Sequence, residues 1–126
     1  MSEPLVGVVV AHSELAAALL AAVRAIAGED VGLVAVSNTG CDRASLMKSL
    51  DAAIAGRPAV IFTDMAGGSC AFTASALARG RGDVKVVTGV NLAMLVDFAF
   101  HRTLPVAEAA RRAVEVGRTA VGAVEK

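Results

Sequence analysis

The chemistry of this chain starts at His12. It directly follows the apolar run Leu5-Val6-Gly7-Val8-Val9-Val10-Ala11 and precedes an Ala/Leu-rich stretch opened by Ser13. Such a run reads as a strand buried on both faces, so His12 falls at a strand's carboxyl end, just before a helix. Ligands bind at that edge of open α/β sheets, and histidine can serve there as a neutral nucleophile near physiological pH. A second polar group, Asp64, follows another apolar run and leads through Met65 and Ala66 into Gly67-Gly68-Ser69. A carboxylate that accepts a hydrogen bond from one imidazole nitrogen fixes the tautomer. It leaves the other nitrogen with a lone pair and stabilises the cationic ring formed on attack. The unpaired N–H groups and dipole of a helix opened by Gly67, Gly68 and Ser69 would favour a phosphoryl group. Asn91, in the loop Thr88-Gly89-Val90-Asn91, belongs to the same rim. Taken together, these residues read as phosphoryl transfer through phosphohistidine.

Each residue also has an ordinary use. His12 can be a polar loop residue, Asp64 a turn or capping residue, and Gly67-Gly68 a plain strand-to-helix loop. His101, in Phe98-Ala99-Phe100-His101-Arg102, reads as a helix-end residue. Arg111, Arg112 and Arg118 read as a solvated helix face.

Two alternating periodicities position these groups. Strand-length apolar runs occur at Leu5–Val10, Val31–Val36, Ala59–Thr63 and Val84–Thr88. Between them, Ser13 is expected to cap a helix to about Ala27, ended by Gly28. Asp42 is expected to cap one through Leu46, Leu50 and Ile54 that ends at Gly56. A third spans roughly Ala71–Ala78 and stops at Gly80. A fourth starts near Asn91 and carries Leu92, Leu95, Val96, Ala99 and Phe100. Pro105 fits the first turn of a last helix reaching about Val121. This alternation predicts a three-layer α/β/α fold with a doubly wound, four-stranded parallel sheet and right-handed crossovers. The expected strand order is 2-1-3-4, which makes the first and third strands neighbours and sets His12 opposite Asp64.

Composition narrows the function classes. With 126 residues the chain is expected to form one domain, 1–126. Twelve basic and twelve acidic residues cancel, and no run of like charges occurs, which argues against nucleic acid or a membrane surface as partner. Trp and Tyr are absent, so a base-stacking platform is not expected. No segment resembles a signal peptide or approaches the roughly 20 apolar residues of a spanning helix. The expected location is the cytoplasm, with Cys41 and Cys70 reduced. No metal-ligand spacing occurs, and no cofactor is expected.

Three segments, VGVVVAHSELAAALL, VIFTDMAGGSCAFTAS and VVTGVNLAMLVDFAF, cover nearly the whole chain in order. They resemble the IIA component of the mannose-type phosphoenolpyruvate-dependent sugar phosphotransferase system. The resemblance implies that His12 is the phosphorylated histidine, that Asp64 is its hydrogen-bonding partner, and that Gly67, Gly68 and Ser69 border the site. It implies a homodimer that accepts a phosphoryl group from the carrier HPr and passes it to a IIB component. The family pattern GGSPxN is altered here, with Cys70 and Phe72 in place of proline and asparagine, and Ala93 replaces the proline of GVNxPML. Members often continue into a linker and a IIB domain. This chain ends soon after its last helix, so a separate IIB component or a regulatory protein is the expected acceptor. Two rivals keep the phosphohistidine. One is the phosphocarrier subunit of a phosphotransferase-dependent dihydroxyacetone kinase, whose middle motif is closer to DMGSA. The other is a phosphorylation-sensing regulatory module with no onward transfer to sugar.

Overall fold

A computed structural model describes residues 4–125. Strands β1 (Val6–Ala11), β2 (Leu33–Ser37), β3 (Ala59–Thr63) and β4 (Val84–Thr88) alternate with helices α1 (Leu15–Ala27), α2 (Arg43–Ile54) and α3 (Ser69–Arg79); α4 (Leu92–Ala99) and α5 (Val106–Thr119) follow β4. All neighbouring strands are parallel and the sheet order is β2-β1-β3-β4, as the alternation predicts.

The period-2 geometry of a strand sends successive side chains to opposite faces, and β1 shows it directly. Val6, Val8 and Val10 pack with Ile61, with Leu46, Leu50 and Ile54 of α2, and with Cys70, Ala74 and Leu77 of α3. Val9 and Ala11 pack with Val60 and Phe62, with Leu20 and Val23 of α1, with Met94, Leu95 and Phe98 of α4, and with Ala109 and Ala113 of α5. Phe98 meets Phe62 edge-on, with ring centroids 5.2 Å apart. These two apolar layers hold the central strands rigid, so the polar rim at their carboxyl ends rests on a fixed base.

Several helix boundaries differ from expectation. Ser13 does not cap α1. Its φ is +53°, and α1 starts only at Leu15, with Glu14 at the cap and no side-chain capping bond. The backbone of Ser13 is instead bound by the loop after β2. Asp42 does cap α2, its carboxylate accepting from the Ser45 N–H at 2.8 Å. Pro105 stands one place before the first turn of α5, which ends at Thr119, short of Val121. Phe100 lies past the end of α4 and is exposed. Arg112 is not simply solvated: its guanidinium makes two hydrogen bonds to the Asp97 carboxylate, at 2.7 and 2.9 Å, and ties α5 to α4.

Candidate active site

Sheet register decides which side chains meet. Val10 pairs with Thr63 across β1 and β3, and Ala11 pairs with Ser37 across β1 and β2. One step further along each strand stand His12, Asp64 and Asn38. Asp64 Oδ2 lies 2.7 Å from His12 Nδ1 and accepts the His12 backbone N–H at 3.0 Å. Burial pushes the Asp64 carboxyl up, but the two hydrogen bonds from His12 and the attraction of the ring bring it below its ordinary value. It is therefore an ionised acceptor at neutral pH. A carboxylate at this position selects the neutral tautomer that donates from Nδ1, the form that leaves a lone pair on Nε2. The Asp64 side chain is 9% exposed and that of His12 is 47% exposed, so the carboxylate is sheltered and the ring faces outward. Thr63, fully buried, donates from Oγ1 to the Met65 carbonyl and closes the turn that carries Asp64.

The start of α3 borders the ring. Gly68 occupies its N-cap with a φ of +94°, a conformation that favours glycine, and a Cβ built there would stand 3.7 Å from His12 Cε1. No side chain caps this helix, so its first N–H groups are orphan donors close to the imidazole. Of the three residues of this loop, Gly68 stands against the His12 ring and Ser69 opens α3.

Asn91 is held elsewhere. Its Oδ1 accepts the Met94 N–H at 3.0 Å and caps α4, while its Nδ2 donates to the Gly117 carbonyl at 2.9 Å. Both ends of the amide are committed to joining α4 and α5. His101 follows the end of α4, with Nδ1 at 2.8 Å from the Asp97 carbonyl, a helix-end role.

Two residues that the sequence analysis does not single out, Ser37 at the end of β2 and Asn38 after it, hold the rim together. Asn38 Oδ1 accepts the Ser13 N–H at 3.3 Å, its N–H donates to the Ala11 carbonyl at 3.2 Å, and its Nδ2 reaches Ser69 Oγ at 3.5 Å. Ser37 Oγ donates to the Ser13 carbonyl at 2.8 Å. One asparagine therefore joins the loops after β1 and β2 to the first turn of α3. The signal available in sequence was its type: a short amide in a strand-end loop bonds local backbone readily.

Cys70, a reduced thiol from the sequence, has ionisable neighbours in the fold. It is buried in the first turn of α3, and its Sγ, a His12 ring nitrogen and an Asp64 oxygen lie within 4.8 Å of one another. Burial, with the Asp64 charge adding to it, pushes the thiol's pKa up. Beside the loop runs a groove of about 700 Å³ lined by Arg43, Gly67, Gly68, Ser69 and Phe72. The Arg43 guanidinium stacks 4.1 Å above the exposed Phe72 ring. Met65, on the same loop, is exposed too.

Known proteins with this arrangement agree in fold. A IIA subunit of the phosphotransferase system from Enterococcus faecalis, described as mannose/sorbose specific, superposes with a TM-score of 0.88 at 24% identity, covering 98% of this chain and 97% of that one. A phosphotransferase component EIIA from Streptococcus agalactiae gives 0.87 at 22% identity, covering 94% and 96%. A IIA protein associated with the fucose utilization operon of Streptococcus pneumoniae gives 0.72 at 19% identity, covering 91% and 93%. Comparison with curated protein sequences finds no significant match. Among the described residues, no helix is long and apolar enough to cross a membrane. The model of the EIIA-man family, described as the fructose IIA component of the phosphotransferase system, matches residues 7–115. That span includes β3, all of β1 but its first residue and every group gathered around His12, and the chain belongs to the EIIA-man family of phosphotransferase-system IIA components.

Proposed function

We propose that this protein is a cytoplasmic, homodimeric phosphocarrier. His12 accepts a phosphoryl group from the phosphohistidine of HPr and passes it to a histidine of a IIB component. The observation that carries this reading is the 2.7 Å contact between His12 Nδ1 and Asp64 Oδ2, beside the uncapped start of α3. In the forward step the Nε2 lone pair attacks phosphorus as the donor's N–P bond breaks. The ring becomes cationic, and Asp64 holds the Nδ1 proton and balances the charge. The N–H groups of Gly68, Ser69 and Cys70 are placed to screen the phosphoryl oxygens. Donor, intermediate and acceptor are all phosphoramidates of similar energy, so alignment and charge screening suffice. Transfer needs neither a metal nor an organic cofactor.

The test is to incubate the protein with phosphoenolpyruvate, enzyme I and HPr and to measure its intact mass. One acid-labile, base-stable phosphoryl group is expected, absent in His12→Ala and kept in His101→Ala. Labelling that survives His12→Ala would overturn the assignment. Labelling with no onward transfer to any IIB component would favour a regulatory module.

A further inference from the structure

The fold assembles a second donor set that the order of the sequence hides. His12 comes from the end of β1, Asp64 from the turn after β3, and Cys70 from the first turn of α3, and their ligand atoms lie within 4.8 Å of one another. A second observation points to a ligand. Asp64 Oδ1 is buried without a hydrogen-bond partner, on a side chain only 9% exposed. A carboxylate oxygen withdrawn from water and left unpaired is costly, and a cation bound at this carboxylate would relieve that cost. We infer that His12, Asp64 and Cys70 form a three-ligand site for a borderline-soft divalent cation, zinc above all, and that its occupation disables the nucleophile.

The donor types select the ion. Thiolate, imidazole and carboxylate suit zinc, whereas magnesium and calcium prefer oxygen alone. Three protein ligands leave a fourth position to water, as in open zinc sites. Ligand atoms about 2.0–2.3 Å from zinc stand roughly 3.3–3.8 Å apart in a tetrahedron. The His12–Asp64 pair must therefore open by less than about 1 Å, and Cys70 must close by a similar amount. Cys70 is buried on α3, so the adjustment falls to the exposed His12 ring and to the turns that carry His12 and Asp64.

Binding has a defined proton balance. The ion takes the Nδ1 lone pair, the ring's one proton moves to Nε2, and the Cys70 thiol proton passes to water. One proton is released per ion, so apparent affinity rises about tenfold per pH unit while the thiol is protonated. With its proton on Nε2, the ring has no lone pair for phosphorus. The metal site rests on geometry alone; only this inhibitory consequence rests on the phosphocarrier reading.

Cobalt(II) is the probe, added to the reduced, unphosphorylated chain. The expected result is a thiolate-to-cobalt charge-transfer band in the near ultraviolet that saturates at one equivalent and is displaced by zinc. The band is lost in Cys70→Ala and kept in Cys41→Ser. On the wild-type chain, which removes any question of variant folding, zinc should move the His12 proton from Nδ1 to Nε2 in nitrogen-15 spectra. No thiolate band at stoichiometric cobalt, or a band that survives Cys70→Ala, overturns the inference. Purified phospho-HPr then reads the consequence: phosphoryl acceptance should fall in proportion to zinc occupancy and return with a chelator. A chain that never accepts phosphoryl would defeat the phosphocarrier reading and leave the cobalt result standing.

Discussion

Asp64 uses a single oxygen for two tasks. Oδ2 takes the ring hydrogen bond that sets the tautomer of His12, and also the backbone N–H that fixes where the ring starts. In Asp64→Asn the charge disappears, and the amide can present NH₂ to Nδ1 and favour the wrong tautomer. Loss of one charge-assisted hydrogen bond costs about 1.5–3 kcal/mol. Felt wholly in the transition state, this lowers the phosphoryl transfer rate by about one to two orders of magnitude. Rapid-quench measurement of transfer from phospho-HPr, beside a thermal melt of the same variant, checks it. A melt that drops while the rate holds would return Asp64 to the role of an ordinary turn residue.

At the scale of elements, the strand-end loops are held by one another. Ser13 sits in the left-handed region, which costs a non-glycine residue about 1–2 kcal/mol. Asn38 and Ser37 bind its N–H and carbonyl and keep it there. Asn38→Ala should release the loop and let His12 drift from Asp64. The transfer rate is expected to fall about fivefold, since one hydrogen bond contributes about 1 kcal/mol and tenfold corresponds to about 1.4 kcal/mol. Ser13→Gly adopts the same φ without strain, so in the Asn38→Ala background it should restore part of the rate. A double variant no faster than Asn38→Ala would show that the clamp does not act through Ser13.

For the whole molecule, carboxylates depressed in the folded state link stability to pH, Asp97 and Asp64 among them. The hydrogen bond from Arg112 lowers the Asp97 carboxyl, and the contacts from His12 lower that of Asp64 against its burial. Groups depressed in the folded state add stability above the ordinary carboxyl value of 3.8. That stability is lost as pH falls from there through the folded values. The thermal midpoint should therefore hold between about pH 5 and 7 and fall below about pH 4, less steeply in Asp97→Asn. A midpoint equally steep in Asp97→Asn would show that the α4–α5 tie contributes nothing to acid sensitivity. The homodimer proposed above would form at the β4 edge. β4 is an edge strand, flanked by a groove lined by Val86, Val114 and Val121, with Val121 and Val124 exposed nearby. Sedimentation velocity should give a dimer, shifted toward monomer by Val114→Glu. A wild-type monomer at tens of micromolar would count against this part of the reading.

Local pattern alone determined the four strands, the Asp42 cap, the parallel order 2-1-3-4 and the approach of His12 to Asp64. Periodicity and capping chemistry act over a few residues, and parallel crossovers admit few topologies. His12, Asp64 and the Gly67-Gly68-Ser69 helix start already pointed to phosphoryl chemistry; the resemblance carried by the three segments added the family, and the family match agrees with it. What local pattern could not show depends on partners distant in the chain. Ser13 looked like a cap because its type suits one; Asn38, 25 residues away, bends it out of that role. Asn91 looked like a site residue because its loop shares the rim; its amide instead closes on Gly117, 26 residues further on. Arg112 looked solvated until α4 brought Asp97 beneath it. Cys70 looked like an ordinary reduced thiol until α3 docked against the sheet beside Asp64. For Ser13, Asn91 and Arg112 the role was decided by which donor or acceptor the tertiary structure brought within hydrogen-bonding reach; for Cys70 it was decided by the imidazole and carboxylate that the docked helix brought within 4.8 Å.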